Sequence, residues 1–222
     1  QARETPIDVV ICSVNENEPY FAKLKEFYPN AKFIRLTGNE VDVVNQDLYP
    51  NLMASAVTPY KNFKGHRVLY RQEFDLSLFS YDPITPNNSI FSFQNNLEQF
   101  EDTYALWTKL KHELRDYVFK SYGVRCDDGH IYSKSNYVLA MSVANFIFQS
   151  KGNWEGYGHT AHNAFAIGRP MITKFSDYQG RLLEPLLIKD ETYLEMDEEL
   201  PDRIRFYSEP ERLENMSRKC RQ

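Results

Sequence analysis

The chain has 222 residues, 42% of them hydrophobic and 26% charged, the balance of a globular protein long enough to bury one large core or two small ones. Its 26 Lys and Arg stand against 31 Asp and Glu, a formal net charge of −5 with no basic block, which argues against a nucleic-acid backbone as the main partner. Cys12, Cys126 and Cys220 form no CxxC pair and no apolar run approaches the ~20 residues of a membrane span, so a zinc site, a disulfide framework and a transmembrane segment are not expected.

The first elements read as β-α-β. Ile7–Cys12 is a short apolar run of buried-strand type. A helix follows, with Asn17 as cap, Pro19 in its first turn and Phe21, Leu24 and Phe27 on one face, and Pro29-Asn30 stops it. Ala31–Leu36 is the next strand, with Val41–Val44 and Arg67–Tyr70 as third and fourth. Strands spaced by helical segments indicate a parallel sheet. Polar residues after a strand's carboxyl end face a ligand cleft, which makes Ser13, Asn15, Glu73 and Asp75 candidates for acceptor contact, with Glu73 or Asp75 as a base; a mixed-charge surface loop is the plain alternative.

Asp82–Asn88 carries two prolines and no periodicity, and reads as a linker between an N-terminal domain over 1–85 and a C-terminal domain over 86–222. The pattern then restarts with the strand Ser89–Phe93. A long helix over Asp102–Tyr122 carries Trp107, Leu110, Leu114 and Val118 on one stripe, with Gly123 as its stop. A helix over Ser135–Val143 leads to the strand Asn145–Gln149. The acidic run Asp190–Glu199 reads as solvated surface, and Glu209–Arg218 as a last helix capped by Ser208. The predicted fold class is α/β, two Rossmann-like halves with parallel sheets flanked by helices.

The chemistry concentrates between Asn145 and Thr173. A strand, the polar loop Ser150–Glu155 and the glycine turn Gly156-Tyr157-Gly158 precede a helix that starts at His159, carries Ala161, Ala164, Phe165 and Ala166, and stops at Gly168 before Pro170 and the strand Met171–Thr173. A glycine turn lets backbone approach a ligand, and the N–H groups of a helix start favour a diphosphate. His159 and His162 are three apart, a spacing compatible with a metal, but no further ligand on that helix completes a site, so a structural or ligand-bonding role is expected and no metal.

Ser150-Lys151, Glu155-Gly156-Tyr157-Gly158 and His162–Ile172 together resemble the donor-site signature of GT-B glycosyltransferases. That resemblance implies a glycosyltransferase that moves a sugar from a nucleotide diphospho-sugar to an unknown glycan, lipid or small-molecule acceptor, without a metal and with no cofactor beyond the nucleotide-sugar co-substrate. By the same resemblance Glu155 contacts the donor sugar, and Gly156, Tyr157 and Gly158 face the sugar and diphosphate. The motif's second glutamate, a ribose partner, falls at Asn163, which can exchange a hydrogen bond but brings no charge. The donor set therefore comprises Lys151, Gly156, Tyr157, Gly158, His159, His162 and Asn163, with Glu155 and Glu73 as catalytic candidates. The family's basic pair has no clear match; Lys151 or Arg169 could stand in.

Two rivals follow. One is another Rossmann-type nucleotide-sugar enzyme such as an epimerase, weakened by the absence of GxGxxG after the first strand. The other is a non-catalytic nucleotide-sugar-binding or interaction module on a degenerate glycosyltransferase fold, which the Asn163 departure favours. The free thiols suit a reducing compartment, so the expected location is cytoplasmic, at most peripheral to a membrane. The chain opens at Gln1 directly before a strand, so sequence upstream of it is expected.

Overall fold

The computed structural model describes residues 6–13, 17–37, 44–54, 62–69 and 75–221. They form two compact units, the first comprising Gln1–Gln72, Asn153–Tyr157 and Gly180–Leu182, the second Glu73–Gly152, Gly158–Gln179 and Leu183–Gln222.

The first unit holds a parallel sheet in the order β1 (Val9–Cys12), β2 (Lys32–Thr37), β3 (Asn51–Ala54) and β4 (His66–Leu69), with α1 (Glu18–Phe27) between β1 and β2. Val10, Cys12 and Phe33 point to one face, where Leu48 and Tyr49 join them and Phe21 and Leu24 of α1 pack. Phe27 is instead exposed. Asn17 precedes α1 but its side chain makes no capping bond. The strand β3 is absent from the sequence expectation because Asn-Leu-Met-Ala has no β-branched or aromatic residue to signal it. Of the expected strand Val41–Val44, residues 41–43 lie outside the described residues, as does Tyr70 of the fourth.

The second unit is a five-stranded parallel sheet in the order β6 (Val118–Ser121), β5 (Ser89–Ser92), β7 (Phe146–Phe148), β8 (Met171–Thr173) and β9 (Tyr193–Glu195). Its helices are α2 (Glu101–Glu113), α3 (Lys134–Val143), α4 (His159–Ile167), α5 (Leu200–Tyr207) and α6 (Pro210–Cys220). Alternation along the strands splits the apolar residues between two cores. Phe91, Ile147, Met171 and Tyr193 meet Met141 of α3 and Ala161, Ala164 and Phe165 of α4. On the other face Ile90, Phe146, Phe148, Ile172 and Leu194 meet Trp107 and Leu110 of α2, Ile204 of α5 and Leu213 of α6. Strands buried on both faces read as continuous apolar runs, which is how β5, β7 and β8 announce themselves in the sequence.

Several expectations are corrected here. The helix over Asp102–Tyr122 divides: α2 stops at Glu113, Arg115-Asp116 turn, and Val118–Ser121 pairs in parallel with Ser89–Ser92 as β6. Val118 continues the four-residue spacing of Leu110 and Leu114 only by coincidence; it is 51% exposed. Gly123 accordingly closes a turn after β6, its N–H donating to the Gly129 carbonyl at 2.8 Å, and is not a helix stop. The acidic run contains β9, with Thr192, Tyr193 and Leu194 buried among charged neighbours. Ser208 does not cap α6, which starts after Glu209; its hydroxyl donates to the Ile204 carbonyl at 2.7 Å.

The segment Asp82–Asn88 is bonded into the second unit: the Asp82 amide donates to the Ile167 carbonyl at 3.1 Å and the Asn87 amide to Asn145 Oδ1 at 2.8 Å. Cys12 and Cys220 are buried free thiols and Cys126 is a half-buried one; the Cys220 S–H, on the last turn of α6, lies 3.7 Å from the Thr192 carbonyl. No helix among the described residues is long and apolar enough to cross a membrane.

Candidate functional site

In an open parallel sheet the ligand cleft lies beyond the strands' carboxyl ends, at the point where the strand order reverses. Here that point falls between β5 and β7. Just past those ends the buried Ser150 donates its amide to Oε1 of the buried Gln94 at 3.1 Å. The loop after β7 continues through Lys151 and Gly152, and both amides donate to Oδ2 of Asp177, at 3.1 and 3.0 Å. The Ser150 hydroxyl reaches the same oxygen at 2.7 Å. Asp177 belongs to the turn after β8 and its role was not read from the sequence; a polar residue beyond a strand's carboxyl end is the signal that could have found it.

The glycine turn feeds α4. Gly156 is half-buried, Tyr157 and Gly158 are buried, and Gly158 holds φ +80° at the position before the first helical residue. A Cβ there would meet Tyr178 Cε1 at 3.3 Å, tighter than an ordinary contact. Gly158→Ala should therefore destabilise the protein by about 1–2 kcal/mol, about 1 from the left-handed backbone and the rest from the aromatic ring, measured as a lowered denaturation midpoint with an unchanged m-value.

Around this helix start the side chains are basic. The geometry of His162 Nδ1, 3.0 Å from the Gly158 carbonyl, calls for a proton on that nitrogen, donated to the oxygen. His159 reaches solvent, yet desolvation by the surrounding protein, and then the positive charges of His162 and Lys151, hold its pKa below the ordinary imidazole value. Glu155, on the loop before the glycine turn, is a buried carboxylate, 4% exposed.

His159 and Asn163 line one cavity of about 510 Å³, shared with Ser133, Lys134 and Tyr137 at the start of α3 and with Asp75. The Tyr137 phenol, whose pKa is raised by burial, bonds the side chains of Thr160 and Asn163. Lys151 lines a second cavity of about 250 Å³ with Lys174, Asp177 and the first residues of α2. Asp75 starts a turn, accepting from the Ser77 hydroxyl at 2.6 Å and the Leu78 amide at 3.1 Å, and the Ser77 bond leads in depressing its pKa.

Glu73 and Asn15 lie outside the described residues, and Ser13 is exposed. Arg169 is no candidate for a ligand phosphate: it is fully buried, and its guanidinium donates to the carbonyls of Asp82 at 2.6 Å and Ile167 at 3.1 Å and to that of Ser142. Among the described residues no group of three or more His, Cys, Asp or Glu could hold a metal ion.

No family model matches the sequence, and no curated protein matches it by sequence. Solved structures do match. HepE of Anabaena, in complex with UDP-glucose, superposes with a TM-score of 0.73 at 10% identity over 96% of this chain and 72% of its own. Sucrose-phosphate synthase of Thermosynechococcus elongatus gives 0.72 at 12% identity, covering 96% and 67%. TarM of S. aureus gives 0.71 at 10% identity over 96% of this chain but 50% of its own, so the chain spans about half the length of TarM. With two parallel α/β sheets and these neighbours, the chain has the GT-B glycosyltransferase fold.

Proposed function

We propose that the protein transfers a sugar from a nucleotide diphospho-sugar to a glycan, lipid or small-molecule acceptor. The observation that carries this reading is the start of α4, where the left-handed Gly158 opens a helix whose first turn is surrounded by His159, His162 and Lys151, on a fold shared with a protein solved in complex with UDP-glucose. The positive dipole end of this helix suits a diphosphate and stabilises it as it departs, so no metal is needed in the proposed step. Glu155 is assigned to the donor sugar and Glu73 to the acceptor side. The three free thiols support a reducing, cytoplasmic setting.

A panel of UDP-, GDP- and ADP-sugars tests the donor site by thermal shift. At a hundredfold excess over Kd the bound donor should add about 2.7 kcal/mol, or about 5–10 °C in Tm for a chain of this size. Glu155→Ala should remove that shift; no shift with any donor sinks the reading. Asn163, uncharged and bonded to Tyr137, favours the second reading, a binding module without catalysis, and transfer or donor-hydrolysis assays separate the two.

The depressed pKa of His159 gives the pH dependence its sign. Neutral at pH 7 in the free protein, the ring gains a proton more readily beside a diphosphate, so UDP-glucose affinity should rise as pH falls through and below the ordinary imidazole value of about 6.5. The sugar diphosphate itself does not titrate there. Folding stability moves the opposite way: it is fully present above the unfolded pKa and declines as pH falls below it. His159→Gln should flatten the affinity profile measured by calorimetry.

A further inference from the structure

The loop that opens the donor-site run is held by a single carboxylate. Asp177, 4% exposed, places Oδ2 within 2.7–3.1 Å of three donors, the Ser150 hydroxyl and the amides of Lys151 and Gly152. A buried carboxylate is costly unless donors satisfy it, and bonds to a charged acceptor are about twice as strong as neutral ones. Since Ser150 is also tied to Gln94, the backbone of Lys151 is fixed relative to the ends of β5, β7 and β8. The Lys151 side chain is left to line the 250 Å³ cavity, close enough to the first turn of α4 for its charge to act on His159.

We propose that Asp177 is a positioning residue of the donor site, holding the Lys151 backbone so that the ammonium and the first turn of α4 act on one and the same diphosphate. The proposal rests on the donor-site reading above. A carboxylate that only supported the fold would affect stability in proportion to its lost bonds and would act independently of Lys151.

The test is a double-mutant cycle with UDP-glucose at fixed ionic strength, read by calorimetry on the wild type, Lys151→Ala, Asp177→Asn and the double variant. Asp177→Asn keeps the shape and an acceptor oxygen but loses the charge. Each single variant is expected to weaken binding about tenfold, and the double variant no further than either single one, because both remove the same contact. Faster amide exchange at Lys151 and Gly152 in Asp177→Asn, read by NMR, should accompany the loss. Unchanged affinity in Asp177→Asn, or losses that multiply in the double variant, would overturn the positioning role while leaving the donor site standing. A wild type that binds no nucleotide sugar would instead overturn the donor-site reading, and the functional role of Asp177 with it.

Discussion

Arg169→Met should lower stability by about 2–3 kcal/mol, the cost of carbonyls left without their charged donor, and Tm by about 5–10 °C. The methionine fills much of the same volume, so the loss is polar in origin. The guanidinium joins the end of α4 to two distant strips of chain, through the carbonyls of Asp82 and Ser142, 87 and 27 residues away. Without it the carbonyls of the half-buried Ser142, the exposed Asp82 and the buried Ile167 lose a donor, at about 1–3 kcal/mol for one left unsatisfied away from water and less where water replaces it. The Asp82 carboxylate, 3.3 Å from the guanidinium, is 55% exposed and contributes far less. Asp82→Asn should therefore cost about 1 kcal/mol or less. Equilibrium denaturation of the two variants distinguishes a carbonyl clamp from a salt bridge: similar losses in both would show the ion pair to be the stabilising element.

One residue earlier, Gly168→Ala should cost about 2–4 kcal/mol from two separable sources. Its φ of +85° ends α4 in the left-handed region, which alone costs an alanine about 1 kcal/mol. The remainder is steric, since a Cβ would stand 2.6 Å from Tyr81 Cε2 and 2.9 Å from Ser217 Oγ. In a Tyr81→Ala background the same substitution should cost less, leaving the backbone part and whatever the Ser217 hydroxyl cannot relieve by rotating away. An undiminished loss there would mean that the ring is not the obstacle. Gly168 and Arg169 thus make one joint: the glycine turns the chain, and the arginine fixes where the turn points.

The parts of this fold visible in the sequence are those whose cause is local. Gly158 and Gly168 bracket α4 because two left-handed positions need glycine, and Phe146-Ile147-Phe148 reads as a strand because it is apolar on both faces. The boundary between α2 and β6 was hidden because Val118 falls in helical step with Leu114 while facing solvent. Short strands without strand-forming residues, such as Asn51–Ala54, leave no trace in periodicity. In the site, the sequence located the helix start but not its support. Asp177 is 27 residues from Ser150, and only the adjacency of β7 and β8 brings them together. The same holds for Tyr137 and Asn163, paired by the packing of α3 against α4. Arg169 shows the reverse error, a cation whose proximity to the motif suggested a ligand where the fold required a clamp.

Cys220, on the last turn of α6, gives the molecule a built-in clock. Its thiol is 9% exposed, and burial raises its pKa well above the ordinary range, so the reactive thiolate is scarce while the helix is docked. Alkylation there must wait for the end of α6 to undock, whereas the half-buried Cys126 gives a separate channel within the same unit. The labelling rate at Cys220, resolved by mass spectrometry, thus reports how often the C-terminal turn opens under native conditions, without any engineered probe.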